Sequence, residues 1–173
     1  KNKFPSKLPA GTTFENITFQ FLDAENVFIQ VKQFKHYTNY REMRLVGKGK
    51  KPKPSVLWVF LRVLAVKNGE ITIKDPEARK QYKKQKELLS KFLQSYFKID
   101  YDPFYPYESY PPYKHEKSYK IRMKVIPTQE MIDKARSLEK EMNSKIRDEK
   151  EKDDLGIEES YKKQTPEIYD KYQ

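Results

Sequence analysis

Cysteine is absent from the 173 residues, which excludes disulfides and thiolate metal sites and fits a reducing, cytoplasmic setting. Histidine is scarce: His36 and His115 stand isolated and far apart in sequence. Glycine occurs five times, and Gly47-Lys48-Gly49-Lys50 lacks the spacing and the closing Lys-Ser or Lys-Thr of a phosphate-cradling loop. Asp100 and Asp102 lie in a Pro- and Tyr-rich stretch where a turn explains them better than paired catalytic carboxylates do. These shortages argue against an enzyme and against a bound cofactor. No apolar run approaches the roughly 20 residues of a membrane-spanning helix, so no membrane partner is expected, and Lys1 to Pro5 does not have the makeup of a secretion signal. Without that signal the sequon Asn16-Ile17-Thr18, inside a predicted strand, carries no weight. The missing initiator Met suggests a part of a longer protein.

What the chain has is positive charge, unevenly placed. Thirty-six Lys and Arg face 25 Asp and Glu, net +11, a balance that attracts anionic partners. Residues 128–173 hold 10 Lys and Arg against 13 Asp and Glu, leaving 26 against 12 for residues 1–127. The shift near Pro127 suggests a lead-in over 1–13, one folded domain over 14–127 and a charged helical or irregular extension over 128–173.

The apolar centre is Ser55 to Val66, whose only charge between Val56 and Val66 is Arg62. Ser55 is a capping residue, Asn68-Gly69 suits a left-handed stop, and a dozen residues exceed a usual buried strand, so this is a core helix that needs cover on most of its circumference. Upstream, Ile17-Thr18-Phe19-Gln20-Phe21 alternates, Asp23 to Asn26 are turn formers, and Val27, Ile29 and Val31 resume the period of two. That pattern predicts an antiparallel hairpin whose second strand runs to about Phe34. Asn39-Tyr40-Arg41-Glu42 has the capping-box spacing of a short helix carrying Tyr40, Met43 and Leu45 or Val46 inward. Lys48 to Pro54 is a basic loop that its Pro and Gly residues keep irregular.

Beyond Gly69 comes a short extended link, Glu70 to Ile73. Asp75-Pro76-Glu77 then opens a helix predicted to run to about Phe97. At about 100° per residue, Tyr82, Leu89, Leu93 and Tyr96 share one face of it, while Lys80, Lys83, Lys84, Glu87, Lys91 and Gln94 gather opposite. Four prolines between Asp102 and Pro112 impose an extended path, and Tyr119, Ile121, Met123 and Val125 alternate with Lys120, Arg122 and Lys124 as one half-buried strand from Ser118. Thr128 caps a last helix, Gln129 to about Lys150, with a narrow stripe at Met131, Ile132, Ala135, Leu138, Met142 and Ile146 that fits either the domain or a protein partner. Irregular structure is expected after Asp153.

The order of these elements is similar to the winged helix-turn-helix of OmpR-type response regulators. The resemblance rests on Arg41-Glu42-Met43-Arg44-Leu45-Val46-Gly47-Lys48, the basic loop ending at Pro54, Leu57-Trp58 with Leu61 and Leu64-Ala65, Asn68-Gly69, Leu89 with Leu93 and Phe97, and Asp102-Pro103-Phe104. It spans roughly Phe14 to Ile126 and speaks for fold more than for function. It implies an α+β winged-helix domain, with an N-terminal β-hairpin, three helices and a C-terminal β wing, carrying a charged helical extension. One departure is plain: Tyr105 to Tyr113 is rich in Pro and Tyr where such domains have a compact glycine-containing wing.

The function implied is that of a non-enzymatic double-stranded DNA-binding regulatory module whose third helix enters the major groove. The residues agree in kind. Lys80, Lys83, Lys84 and Lys91 offer phosphate neutralisation, and Arg79 a bidentate guanine contact. Lys48, Lys50, Lys51 and Lys53 of the loop, with Lys120 and Arg122 of the strand, add sequence-independent affinity. A solvated helix face explains the same lysines, so two alternatives stand beside this one. One is a protein-interaction winged helix or accessory subunit of a larger complex; the other is a structural component of a ribonucleoprotein, with the Tyr-rich loop stacking on unpaired bases.

Overall fold

The computed structural model describes residues 2–112 and 115–164 and has a mixed α+β architecture. Alternating apolar residues build its first strands as the period of two requires. Strand β1 (Ile17–Phe21) pairs antiparallel with β2 (Asn26–Val31) in the register Phe19 opposite Ile29. The turn between them is closed by Asp23, whose Oδ1 accepts from the Glu25 and Asn26 amides at 2.8 and 2.7 Å. β2 does not continue to Phe34. Lys32 takes a left-handed φ of 55°, the chain reverses, and Phe34 opens a third strand, β3 (Phe34–Asn39), antiparallel to β2.

The short helix expected over Tyr40–Val46 is also replaced. Its cap bond forms, with Glu42 N–H donating to Asn39 Oδ1 at 2.9 Å, but the Glu42 carboxylate is held by the Thr38 hydroxyl instead of closing the capping box. Arg44 then turns left-handed at φ 58°, which halts helix propagation after a series of turns. Tyr40, Met43 and Leu45 still point into the core, while Val46 bridges to Pro54 at the base of the basic loop. Among the described residues, 14–127 therefore hold two α-helices, not three.

The core helix α1 (Val56–Val66) is capped by Ser55, whose Oγ accepts from Trp58 N, and it stops where Asn68 and Gly69 are left-handed. Trp58 is fully buried, and its Nε1 donates to Ala24 O at 2.8 Å, fastening the helix to the β1–β2 turn. After β4 (Glu70–Ile71), helix α2 (Pro76–Phe97) has Asp75 as its cap and ends at left-handed Lys98. Tyr82, Leu89, Leu93 and Tyr96 are buried, and burial, followed by Glu139, pushes the Tyr82 hydroxyl up to about 12.

The strand expected as one piece from Ser118 to Val125 is two. β5 (Glu108–Ser109) and β6 (Lys117–Lys120) join β4 in a three-stranded sheet of order β4-β6-β5, and β7 (Lys124–Ile126) runs parallel to β1 in a four-stranded sheet of order β3-β2-β1-β7. The division falls at Ile121 to Met123, where Arg122 N–H donates to Pro103 O at 2.7 Å and Ile121 bridges to Phe104. One segment thus stitches both sheets together.

The last helix is divided as well. Thr128 caps the short α3 (Gln129–Asp133), and α4 (Ala135–Gln164) continues through the segment expected to be irregular after Asp153. Residues 165–173 lie outside the described residues. Met131, Leu138, Met142 and Ile146 are buried in the same core as α1, so these four positions of the apolar stripe rest on this chain, whereas Ile132 is exposed and Ala135 half-buried. Arg62 pairs with Glu141 at 3.6 Å, Lys67 with Glu139 at 2.6 Å, and Lys145 Nζ donates to Pro54 O at 2.9 Å. Among the described residues no helix is long and apolar enough to cross a membrane.

Two outcomes follow from this packing. Met142→Ala should lower stability by about 2 to 5 kcal/mol through the cavity it leaves, read as a fall in the denaturation midpoint at constant slope. A chain ending at Ile126 should lose its cooperative transition, because Val56, Val59 and Val63 of α1 would be short of cover; a sharp transition in that truncated chain would make α4 peripheral.

Candidate nucleic-acid interface

The loop between Gly47 and Pro54 is held open at its base. Gly47 N–H donates to Lys53 O at 2.7 Å, and Tyr40 OH reaches Pro52 O at 3.4 Å. Gly49 adopts φ 138°, a conformation that side chains resist, with open space around it. Lys48, Lys50, Lys51 and Lys53 are all exposed on this loop.

On α2 the lysines Lys80, Lys83, Lys84 and Lys91 are exposed, opposite the buried Tyr82, Gln85, Leu89 and Leu93. Eleven residues separate Lys80 from Lys91, roughly 16 Å of helix at 1.5 Å per residue. Packing brings part of this row to the loop: Lys48 and Lys53 line one cleft of about 480 Å³ with Lys84 of α2 and Lys145 of α4. Asp148 and Glu149 form its acidic rim, and Glu149 accepts from the buried Gln85 Nε2 at 3.0 Å. Lys145 was not among the candidates read from the sequence. It belongs to the net-acidic extension, and nothing local marks it as a neighbour of a loop some 90 residues earlier.

The remaining candidates sit elsewhere. Arg79 is half-buried and turned back on the start of its own helix, Nη2 donating to Lys74 O at 3.1 Å, with Nε buried and lacking a hydrogen bond. Burial pushes the nearby Tyr119 hydroxyl up, Tyr107 adds to this, and the Arg79 charge works against it. Lys120 lies over the rings of Tyr110 and Tyr105 at 5.0 and 5.6 Å. Arg122 stacks 4.3 Å from the centre of Tyr105 and 5.5 Å from Tyr101, donates to Asp102 O at 3.0 Å and pairs with Glu15 at 3.5 Å. These two cations and three tyrosines form a ladder, so among the described residues Tyr105 and Tyr110 of the Tyr-rich loop are already faced by a cation.

Asp102 has the turn role expected of it: Oδ1 accepts from Phe104 N at 2.8 Å and from Ser90 Oγ at 3.3 Å, and Oδ2 faces Lys86 Nζ at 3.0 Å. Among the described residues no group of three or more His, Asp or Glu is placed to hold a metal ion. Comparison with protein-family models, with curated proteins and with solved structures finds no match to this chain.

The ladder makes Arg122 structural first. Arg122→Ala should cost about 1 to 2 kcal/mol, from the lost cation–aromatic contacts and a half-exposed ion pair of small worth. It should leave any duplex affinity within about twofold of wild type, and a large loss of binding without a change in melting would return Arg122 to the interface.

Proposed function

We propose that the chain is a non-enzymatic double-stranded DNA-binding regulatory module that grips the phosphate backbone between the basic loop and the lysine row of α2. The observation that carries this reading is the meeting of Lys48 and Lys53 with Lys84 in one cleft, although the loop and the helix are separated in sequence by the whole of α1. With Lys80, Lys83 and Lys91 continuing along the same helix, the positive surface is long enough to follow several phosphates at 3.4 Å per nucleotide of one strand.

A winged-helix-like arrangement is part of the proposal. The three-stranded sheet β4-β6-β5 beside α1 and α2 supports it, with β5 and β6 in the place of the wing and α2 as the helix facing DNA. It is a spare version: α1 and α2 are joined through β4 over Lys67–Asp75, not by the tight turn of a helix-turn-helix. The cations are mostly lysines, compact charges that orient a base less well than the arginine fork does. Affinity should therefore be salt-sensitive and weakly selective among sequences.

A protein-interaction module is the second reading, favoured by Leu88 and Val46, which are 41% and 38% exposed on the wall of the same cleft beside Asp148 and Glu149. A mixed apolar and charged rim suits a polypeptide. The two readings part under one test. Replacing Lys48, Lys53 and Lys84 together by Ala should weaken duplex binding at least tenfold at low salt and reduce the slope of log affinity against log salt by about 3. Unchanged affinity and slope would remove the cleft from the DNA interface and leave the protein reading.

A further inference from the structure

The four-stranded sheet is covered by the core on one face, and its other face is open. The register fixes what lies there. Across the strands Tyr37, Phe28, Gln20 and Ile126 form one outward row, since Phe28 stands opposite both Tyr37 and Gln20, and Gln20 stands opposite Ile126. The next row outward is Lys35, Gln30, Thr18 and Lys124. Tyr37 is 68% exposed on the edge strand β3, and its ring lies 4.7 Å from that of half-buried Phe28.

We propose that this face binds single-stranded nucleic acid, with unpaired bases stacked on Tyr37 and Phe28 and phosphates taken by Lys35 and Lys124. A cross-strand aromatic pair also stabilises a sheet, but that needs only contact between the two rings, and Tyr37 keeps most of its surface in water. Charge selects the occupant. No carboxylate projects from the outward positions of the four strands. The nearest acids in sequence are Asp23 and Glu25, which occupy the β1–β2 turn beyond the aromatic row, and Glu15, just ahead of β1 at the lysine-row end; Asp23 is engaged with Asn26, and Glu15 pairs with Arg122 at 3.5 Å and accepts from the Tyr101 hydroxyl. Two residues of strand, about 7 Å, separate the rows, so a lysine reaches a phosphate whose base lies on the neighbouring ring. Gln20 and Gln30 supply amides that both donate and accept, suited to base edges of any kind. Its aromatic-plus-cation makeup is what sequence-tolerant binding of single strands uses. None of these residues lines the loop–helix cleft, so the proposal goes beyond duplex binding there.

The test uses the full chain and a fluorescent oligothymidylate of about twelve nucleotides, within the span such surfaces cover, with oligouridylate as the RNA counterpart. Wild type should bind both. Tyr37→Ala should weaken binding about 5- to 150-fold, the range of one lost stacking contact; Tyr37→Phe should bind as wild type, and Tyr37→Leu should be as weak as Tyr37→Ala. Lys35→Ala with Lys124→Ala should reduce the salt slope by about 1.4. The Lys48, Lys53 and Lys84 triple variant should retain the Tyr37 dependence, which separates this face from the cleft. Three results would overturn the proposal: no oligonucleotide binding by wild type, wild-type affinity in Tyr37→Ala, or full affinity in Tyr37→Leu, the last showing that apolar bulk and not base stacking holds the oligonucleotide.

Discussion

Almost everything in this molecule follows from the need to cover a helix that has no polar side. α1 buries Val56, Trp58, Val59, Phe60, Leu61, Val63, Leu64 and Ala65, and at roughly 25 cal/mol per Å² of apolar surface each uncovered side chain would cost a good part of a small domain's stability. Cover comes from three directions. Phe19 and Phe21 of the sheet meet Trp58 edge to face, Tyr82 of α2 and Phe104 meet Phe60, and α4 lays Leu138, Met142 and Ile146 into the same core. Arg62, the single charge, points to the side where α4 supplies Glu141.

That demand also explains a charge distribution that looks divided in sequence. The first part of the C-terminal segment, Thr128 to Glu149, is packed on the basic domain, and Glu139 and Glu141 meet Lys67 and Arg62 at the seam. Such half-exposed pairs contribute little stability each; their effect is to orient α4. Its approach has a functional consequence, since it carries Lys145, Asp148 and Glu149 to the mouth of the basic loop. Any ligand of that cleft meets a surface made by three distant parts of the chain.

Aromatic residues divide into two populations with different fates. Tyr101, Tyr105 and Tyr110 are roofed by Lys120 and Arg122, which spends both the rings and the cations on holding the proline-rich connection to the second sheet. Tyr37 and Phe28 face each other on the outer side of the sheet, and Tyr37 keeps most of its surface in solvent. Aromatic content alone says nothing about which rings are available; neighbours decide it.

The sequence by itself determined what depends on near neighbours. Ser55, Asp75 and Thr128 each cap the helix they precede, and Asn68-Gly69 ends α1, because these hydrogen bonds and dihedral preferences span only a few residues. The hairpin of β1 and β2 and the buried face of α2 were legible for the same reason, period and burial being tied along one segment. Tertiary structure alone decided the third strand at Phe34, the turns in place of a helix after Tyr40, the division of 118–125 between two sheets and the seat of the apolar stripe of α4. It also decided which cations share a site: Lys48, Lys53 and Lys84 meet, while Arg79, Lys120 and Arg122 are drawn into local contacts. The physical reason is range. A capping bond competes only with water and adjacent residues, whereas a strand's partner, a cation's ring and a helix's cover are chosen by whole-chain packing, where burying α1 outweighs any local preference.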